Sequence, residues 1–285
     1  MEIYDDVYPD NIPEGWEPTF SDAKKGIKQT AKDIKKRKKK YVPHSSMVFN
    51  AYRYIRPEDV KVVIIGQDVY HKFGLACGLA FSTNGTVVPP SLKNIYKEIK
   101  ANYPDFKIPN HGDLSAWCKQ GVMLLNASLT TEVGEANAHK GLWMSLIEST
   151  VRTLTNMNKN IIWVMWGGNA QRLSTEINKR GIELKCGHPS PLGANAAKPF
   201  SGCKHFIKIN KKLVELGKPP INWNLPENPG ESLESSDDTL ESSDDTLVDR
   251  RGTISNSLVD TISDDTLDES SDDTLIESSD SDSLN

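Results

Sequence analysis

Val62-Val63-Ile64-Ile65-Gly66-Gln67-Asp68-Val69-Tyr70-His71 decides how the chain folds. Four β-branched apolar residues in succession, without polar alternation, describe a strand buried on both faces, as in the interior of a parallel sheet. The run stops at Gly66, and a carboxylate, a phenol and an imidazole follow at Asp68, Tyr70 and His71. Open α/β sheets hold ligands just past the carboxyl ends of their strands. The stretch therefore marks a candidate site as well as a strand, with a polar surface loop as the plainer alternative.

The same pattern recurs downstream. Gly121 to Asn126 reads as a second buried strand, Ile161 to Trp166 as a third closed by Gly167-Gly168, and Ile182 to Cys186 as a short fourth that runs into Gly187-His188-Pro189-Ser190-Pro191-Leu192. Between them, Pro89-Pro90-Ser91 starts a helix with a stripe of Leu92, Ile95, Tyr96 and Ile99. Further helices are expected over 140–157, 169–180 and 203–216. Alternating strands and helices imply right-handed crossovers, hence a single α/β domain with a central four-stranded parallel sheet covered by helices on both faces. In that sheet Asp68, Asn126 and His188 each follow the carboxyl end of a strand and meet at one edge. Singly they read as a helix cap, a turn residue and a structural histidine. Together with Tyr70, Phe81 and a rigid His-Pro-Ser-Pro loop they read as a pocket. No serine sits in a nucleophile elbow, and the His-x-Glu and Pro-Cys-x-x-Cys signature of zinc deaminases is absent.

The charge is divided along the chain. Of 34 Lys and Arg and 39 Asp and Glu, residues 226–285 hold 19 acids and two arginines, so residues 1–225 carry 32 basic against 20 acidic side chains, a net +12 beside −17. A basic folded part favours a polyanionic partner, nucleic acid first. Cys77, Cys118, Cys186 and Cys203 are widely spaced without a CxxC, which suggests no zinc ribbon or iron–sulfur pattern and a reduced, intracellular, soluble protein. Residues 1–20 are acidic and broken by Pro9, Pro13 and Pro18, unlike a secretory signal, and no apolar run approaches the roughly 20 residues that span a bilayer.

Residues 22–40 place Ala23, Ile27, Ala31 and Ile34 at helical spacing and end in Lys35-Lys36-Arg37-Lys38-Lys39-Lys40. The run reads as a nuclear import signal, a phosphate-contacting arm or a solvated helix face. From Pro226 the chain repeats Glu-Ser-Ser-Asp-Asp-Thr-Leu at 234–240, 241–247 and 269–275. One apolar residue per repeat makes no coiled-coil seam, so a disordered acidic tail is expected. It reads as a solubilising spacer, a kinase substrate or a contact for replication or repair proteins. The expected organisation is an acidic segment at 1–20, a domain at 21–225 that includes the basic helix, and the tail at 226–285.

Gly66-Gln67-Asp68-Val69-Tyr70-His71, Gly78-Leu79-Ala80-Phe81-Ser82, Leu124-Leu125-Asn126 and His188-Pro189-Ser190-Pro191-Leu192 resemble, in order, the motifs of the uracil-DNA glycosylases. His111-Gly112-Asp113-Leu114 and Trp166-Gly167 fit the same series, and the resemblance covers roughly residues 12–225. It implies an enzyme that flips uracil out of single- or double-stranded DNA and hydrolyses its N-glycosidic bond, acting as a monomer without metal or cofactor, in the nucleus or at a cytoplasmic site of DNA replication. A DNA-binding replication accessory that keeps the fold and uses little catalysis is the alternative.

By the same resemblance Asp68 orients the attacking water and offsets the oxocarbenium charge, while His188 hydrogen-bonds O2 of the leaving uracil. Asn126 reads the uracil edge, Phe81 stacks on the base, Tyr70 excludes a thymine methyl and Gln67 lines the pocket. Leu192 is the wedge that enters the base stack, and Ser91 and Ser190 hold phosphates. Three departures stand out. Val69 replaces the family's proline, Gly168 and Gly193 replace phosphate-touching serines, and the segment after Leu192 lacks the usual arginine, for which Lys198 is the substitute.

Overall fold

Four parallel strands form the centre of the molecule, in the spatial order β3-β2-β5-β6. They are β2 (Val62–Gly66), β3 (Val122–Asn126), β5 (Ile162–Trp166) and β6 (Ile182–Cys186). The computed structural model describes Pro9 and residues 11–177, 181–191 and 197–230. The tail repeats lie outside these residues. So do Leu192 and Gly193. No helix among the described residues is long and apolar enough to cross a membrane.

All side chains of β2, β3 and β5 are buried, as the uninterrupted apolar runs require. Strand β6 differs: it is an edge strand with a partly exposed face, and Lys185 pairs there with Glu183 at 2.6 Å. Charges on an edge strand discourage pairing with another chain. From β2 the chain moves outward to β3 and then returns across the sheet to β5, so the order reverses between β2 and β5. That reversal is where a doubly wound sheet opens its crevice.

The remaining helices are α1 (Glu17–Arg37), α2 (Asn50–Arg53), α3 (Pro90–Asn102), α4 (Ser115–Cys118), α5 (Met144–Met157), α6 (Gly168–Gln171), α7 (Ser174–Ile177) and α8 (His205–Glu215). Two short strands, β1 (Tyr41–Val42) and β4 (Thr131–Glu132), pair antiparallel outside the main sheet. Helix α1 begins earlier than its apolar spacing predicts, because Pro18 falls in the first turn, where no intrahelical N–H is needed. Its start is anchored by Trp16 and Phe20, both fully buried, with the Trp16 indole donating to the Ile55 carbonyl at 2.9 Å. The helix stops at Arg37, with Lys38 in the left-handed region at φ 55, so the lysine run is half helix and half lead-in to β1. The helix expected over 169–180 is instead α6 and α7, separated where the Leu173 N–H bonds the Ala170 carbonyl three residues back. At the other end, residues 226–230 pack on the domain rather than beginning the tail: the Pro226 carbonyl accepts from His111 Nε2 at 2.9 Å, and the Gly230 N–H donates to Asp113 Oδ2 at 2.8 Å.

Helix α1 lies along α5. Ala23, Ile27, Ala31 and Ile34 are buried, Thr19 and Thr153 share a hydroxyl hydrogen bond of 2.7 Å, and Thr30 Oγ1 donates to the Leu142 carbonyl at 2.5 Å. The approach is close enough that a Cβ on Gly26 would fall 2.3 Å from Cβ of Ser145. Gly26→Ala should therefore destabilise the domain, although alanine is the better helix former by about 1 kcal/mol. Overpacking of this kind costs roughly 1–3 kcal/mol. A lowered urea midpoint for Gly26→Ala, largely recovered by adding Ser145→Gly, is the expected result.

Candidate active site

Gly66 and Asn126 are register partners at the carboxyl ends of β2 and β3. The ladder continues past the strands, with the Ala127 N–H bonded to the Gly66 carbonyl at 2.9 Å and the Ser128 N–H to the Gln67 carbonyl at 3.1 Å. The two polar turns are thus fixed against each other by main-chain bonds. The Asn126 side chain occupies the space beside Gly66: a Cβ there would lie 2.1 Å from Asn126 Oδ1 and 3.0 Å from Cβ of Ala80. Asn126 is buried, and its Oδ1 has no hydrogen-bond partner among the described residues. An unsatisfied buried amide oxygen costs about 1–3 kcal/mol unless something supplies a donor.

Asp68 follows two residues after β2. Its Oδ2 accepts the backbone N–H of Asn137, while Oδ1 is buried and has no partner among the described residues. Burial pushes the carboxyl up to about 6, against the pull of the Asn137 and Val69 N–H groups and the Thr131 hydroxyl. The group is ionised at neutral pH, yet remains a stronger base than a surface aspartate. Asn137 also accepts from Gln67 Nε2 at 2.7 Å through its side-chain oxygen. One residue thereby positions both Gln67 and Asp68. Asn137 has φ 60, a left-handed conformation that asparagine tolerates better than most residues.

Across the crevice, Tyr70 donates its hydroxyl to the Phe81 carbonyl at 3.1 Å, and burial pushes the phenol well above its ordinary range. Phe81 itself has φ 63. Its ring centroid lies 5.9 Å from that of His188 and 5.3 Å from that of Trp166, the last residue of β5. His188 sits two residues beyond β6. The Ser190 N–H donates to His188 Nδ1 at 3.0 Å, so Nδ1 is the acceptor and a neutral ring carries its proton on Nε2. Gly167, at φ 88, lets the loop approach: a Cβ there would meet Cβ of His188 at 3.1 Å.

The rim is tied to α3, where Asn94 Nδ2 donates to the Pro189 carbonyl at 2.8 Å. Ser91, one turn before Asn94, and Ser190 are both half-buried on this side. Lys198 is exposed, and its carbonyl accepts the Gly187 N–H at 2.5 Å. Gly168 is exposed with open space around it. The basic run is only partly available to a polyanion. Lys39 pairs with Glu132 at 2.8 Å and with Glu135 at 2.6 Å, and Arg37 with Glu132 at 3.2 Å. Lys39 and then Arg37 hold the Glu132 carboxyl below the usual range.

Of the six expected pocket residues, Gln67, Asp68 and Asn126 lie at the neighbouring carboxyl ends of β2 and β3, while Tyr70 bonds Phe81 and Phe81 lies beside His188; Asn137 is a positioning residue that sequence reasoning passed over. Its only signal is an asparagine within the turn-rich stretch from Gly134 to Gly141.

The family model described as the uracil DNA glycosylase superfamily matches residues 52–214. A uracil-DNA glycosylase of Dichelobacter nodosus is 42% identical over 230 residues, which cover 77% of this chain and 99% of that protein. One from Francisella tularensis subsp. novicida is 44% identical over 186 residues, covering 64% and 84%. Among solved structures, mimivirus uracil-DNA glycosylase aligns with a TM-score of 0.66 at 29% identity, over 73% of this chain and 87% of that one. A variant of the mimivirus protein in complex with UGI aligns with a TM-score of 0.70 at 28% identity, over 77% and 93%. A family match across more than half of the chain, together with a relative covered almost end to end, establishes that the chain belongs to the uracil-DNA glycosylase superfamily.

Proposed function

We propose that the crevice between β2 and β5 excises uracil from DNA, with Asp68 and His188 as its catalytic residues. The observation that carries the reading is the pairing of a buried carboxylate with an open Oδ1 and a buried amide oxygen without a donor, on neighbouring turns. Cleavage between N1 of uracil and the deoxyribose develops positive charge on the sugar and negative charge on the departing base, after the nucleotide has left the duplex. Asp68 is anionic at neutral pH, and its Oδ1 lone pair receives the attacking water while its charge offsets the oxocarbenium. His188 offers its Nε2 proton to uracil O2, where negative charge gathers; a preorganised donor of this kind contributes a few kcal/mol. Water is the nucleophile, the products are free uracil and an abasic site, and no step draws on a metal or cofactor.

Asn126 accepts from uracil N3–H and donates to O4. Cytosine presents the reverse pair and would leave both groups unsatisfied. Phe81 provides the stacking face, Tyr70 fills the space of a thymine methyl, and Gln67 completes the wall. Leu192 is assigned as the wedge on the order of the motifs alone, and Ser91, Ser190 and Lys198 as phosphate contacts on that order and on the half-buried serines and exposed lysine. The replication-accessory alternative gives no reason for a buried ionisable group beside an unpartnered amide. The chain is read as a monomer acting on intracellular DNA, nuclear or at a cytoplasmic replication site, with the acidic tail as a contact for replication or repair proteins. The tail reading is supported by its charge, and the intracellular reading by cysteine usage.

Asp68→Asn should lower single-turnover excision from a uracil-containing oligonucleotide by at least two orders of magnitude while DNA affinity stays within a few-fold, because the charge acts in the transition state. Near-normal turnover would sink the assignment. In the wild-type protein excision should be flat above about pH 7 and fall tenfold per pH unit below about 6, as the carboxyl takes up its proton. A midpoint near the ordinary aspartate value would assign the limb to another group. Tyr70→Ala should release measurable thymine from a thymine-containing duplex, and its uracil rate should fall roughly tenfold through loss of the bond to Phe81. Absence of any thymine release would remove Tyr70 from the specificity role.

A further inference from the structure

The base of the His188 loop carries a cluster that base excision leaves unused. Cys186 ends β6, two residues before His188, and Cys203 and His205 stand at the start of α8. One ligand atom from each, two sulfurs and an imidazole nitrogen, all lie within 4.8 Å of one another. Cys186 Sγ is 3.9 Å from His205 Nδ1. Cys186 and His205 are buried and Cys203 is half-buried. Zinc bonds of about 2.3 Å to sulfur and 2.0–2.1 Å to nitrogen put tetrahedral ligands roughly 3.5–3.8 Å apart. Closing this cluster on a cation needs a contraction of about an ångström or less.

We propose that Cys186, Cys203 and His205 bind a soft divalent cation, with zinc the best fit, and that the ion clamps the end of β6 to the start of α8.

The donor set favours this occupant. Cys186 and Cys203 bring two sulfurs to one point beside the His205 ring nitrogen. His205 would ligate through the lone pair of a neutral imidazole. On binding, each cysteine gives up its thiol proton to solvent, and the two thiolates cancel the double positive charge. A neutral core is what a buried site tolerates. The Trp166 indole N–H now donates to His205 Nδ1 at 3.1 Å and must yield that lone pair to the ion.

Glu98, 4% exposed, has Oε1 3.9 Å from Cys203 Sγ and buttresses that ligand from outside the cluster. Its two oxygens also take the N–H groups of Gly202 at 2.8 Å and Lys204 at 2.9 Å, which fixes the turn that carries Cys203. The loop bracketed by the clamp carries His188 and Ser190. Both ends of the proposed catalytic loop are therefore held by one ion.

The test uses the full chain, purified under reducing conditions after expression with added zinc. Elemental analysis should find about one zinc per chain, and cobalt substitution should give thiolate-to-metal charge transfer in the near ultraviolet with intense tetrahedral bands in the visible. Cys186→Ser and Cys203→Ser should each lower bound metal roughly tenfold or more. Circular dichroism of the half-buried Cys203→Ser variant reports whether the fold persists, and the wild-type cobalt spectrum stands independently of any variant. Three results overturn the proposal: no bound metal after zinc loading, undiminished zinc in both serine variants, or a wild-type mass lowered by two hydrogens with no metal, which would make the pair a disulfide. None of these readouts depends on glycosylase activity, so failure here is separable from failure of the excision reading.

Discussion

The pocket depends on the absence of one methyl group. Gly66 ends the central strand β2, and its parallel register with β3 sets Asn126 directly alongside, with the amide oxygen in the volume a Cβ would occupy. Gly66 is required for space and not for an unusual dihedral, since it is absent from the glycines with positive φ. Gly167 plays the matching part after β5, with both a left-handed φ and a close approach to His188. Two glycines at the ends of adjacent strands thus open the reversal in strand order on either side. The polar side chains occupy the opening they leave.

Into this space the fold places a carboxylate that burial disfavours. Asp68 is pushed from an ordinary 3.8 to about 6, so the folded state prefers it protonated. Its contribution to stability is complete below the unfolded value and is lost as pH rises through 6. Above that pH, holding the group ionised costs the domain on the order of 3 kcal/mol. The Asn137 N–H limits this cost at one oxygen and leaves the other open. Stability is set against reactivity at a single atom.

The sheet was legible in the sequence because its signal is local. Uninterrupted apolar runs ending in glycine or a polar residue give β2, β3 and β5, and the alternating Ile182-Glu183-Leu184-Lys185-Cys186 gives the edge strand β6, each to within a residue of its observed bounds. The candidate site was legible as an order of motifs, since each polar residue follows a strand end. Features that depend on chain segments meeting were not legible. Nothing near Asn137 says that it reaches Asp68, nothing in the lysine run says that Arg37 and Lys39 pair with Glu132, and the β1–β4 pair joins residues ninety apart. Pro18 is ambiguous for a different reason. A proline breaks a helix interior but suits its first turn, and only the buried Trp16 and Phe20 show which applies.

The hydrogen bond from Tyr70 to the Phe81 carbonyl has a consequence for how such a pocket can change over generations. On the roles proposed above, one side chain sets which base is refused while the other supplies the face against which an accepted base rests. The bond makes the first one of the supports of the second, whose backbone is left-handed. Broadening the substrate range by shrinking Tyr70 therefore also loosens the platform, and substitutions at the two positions are epistatic. A lineage drifting toward thymine would lose fitness on uracil first. Fidelity is guarded by this linkage as well as by the bulk of the ring.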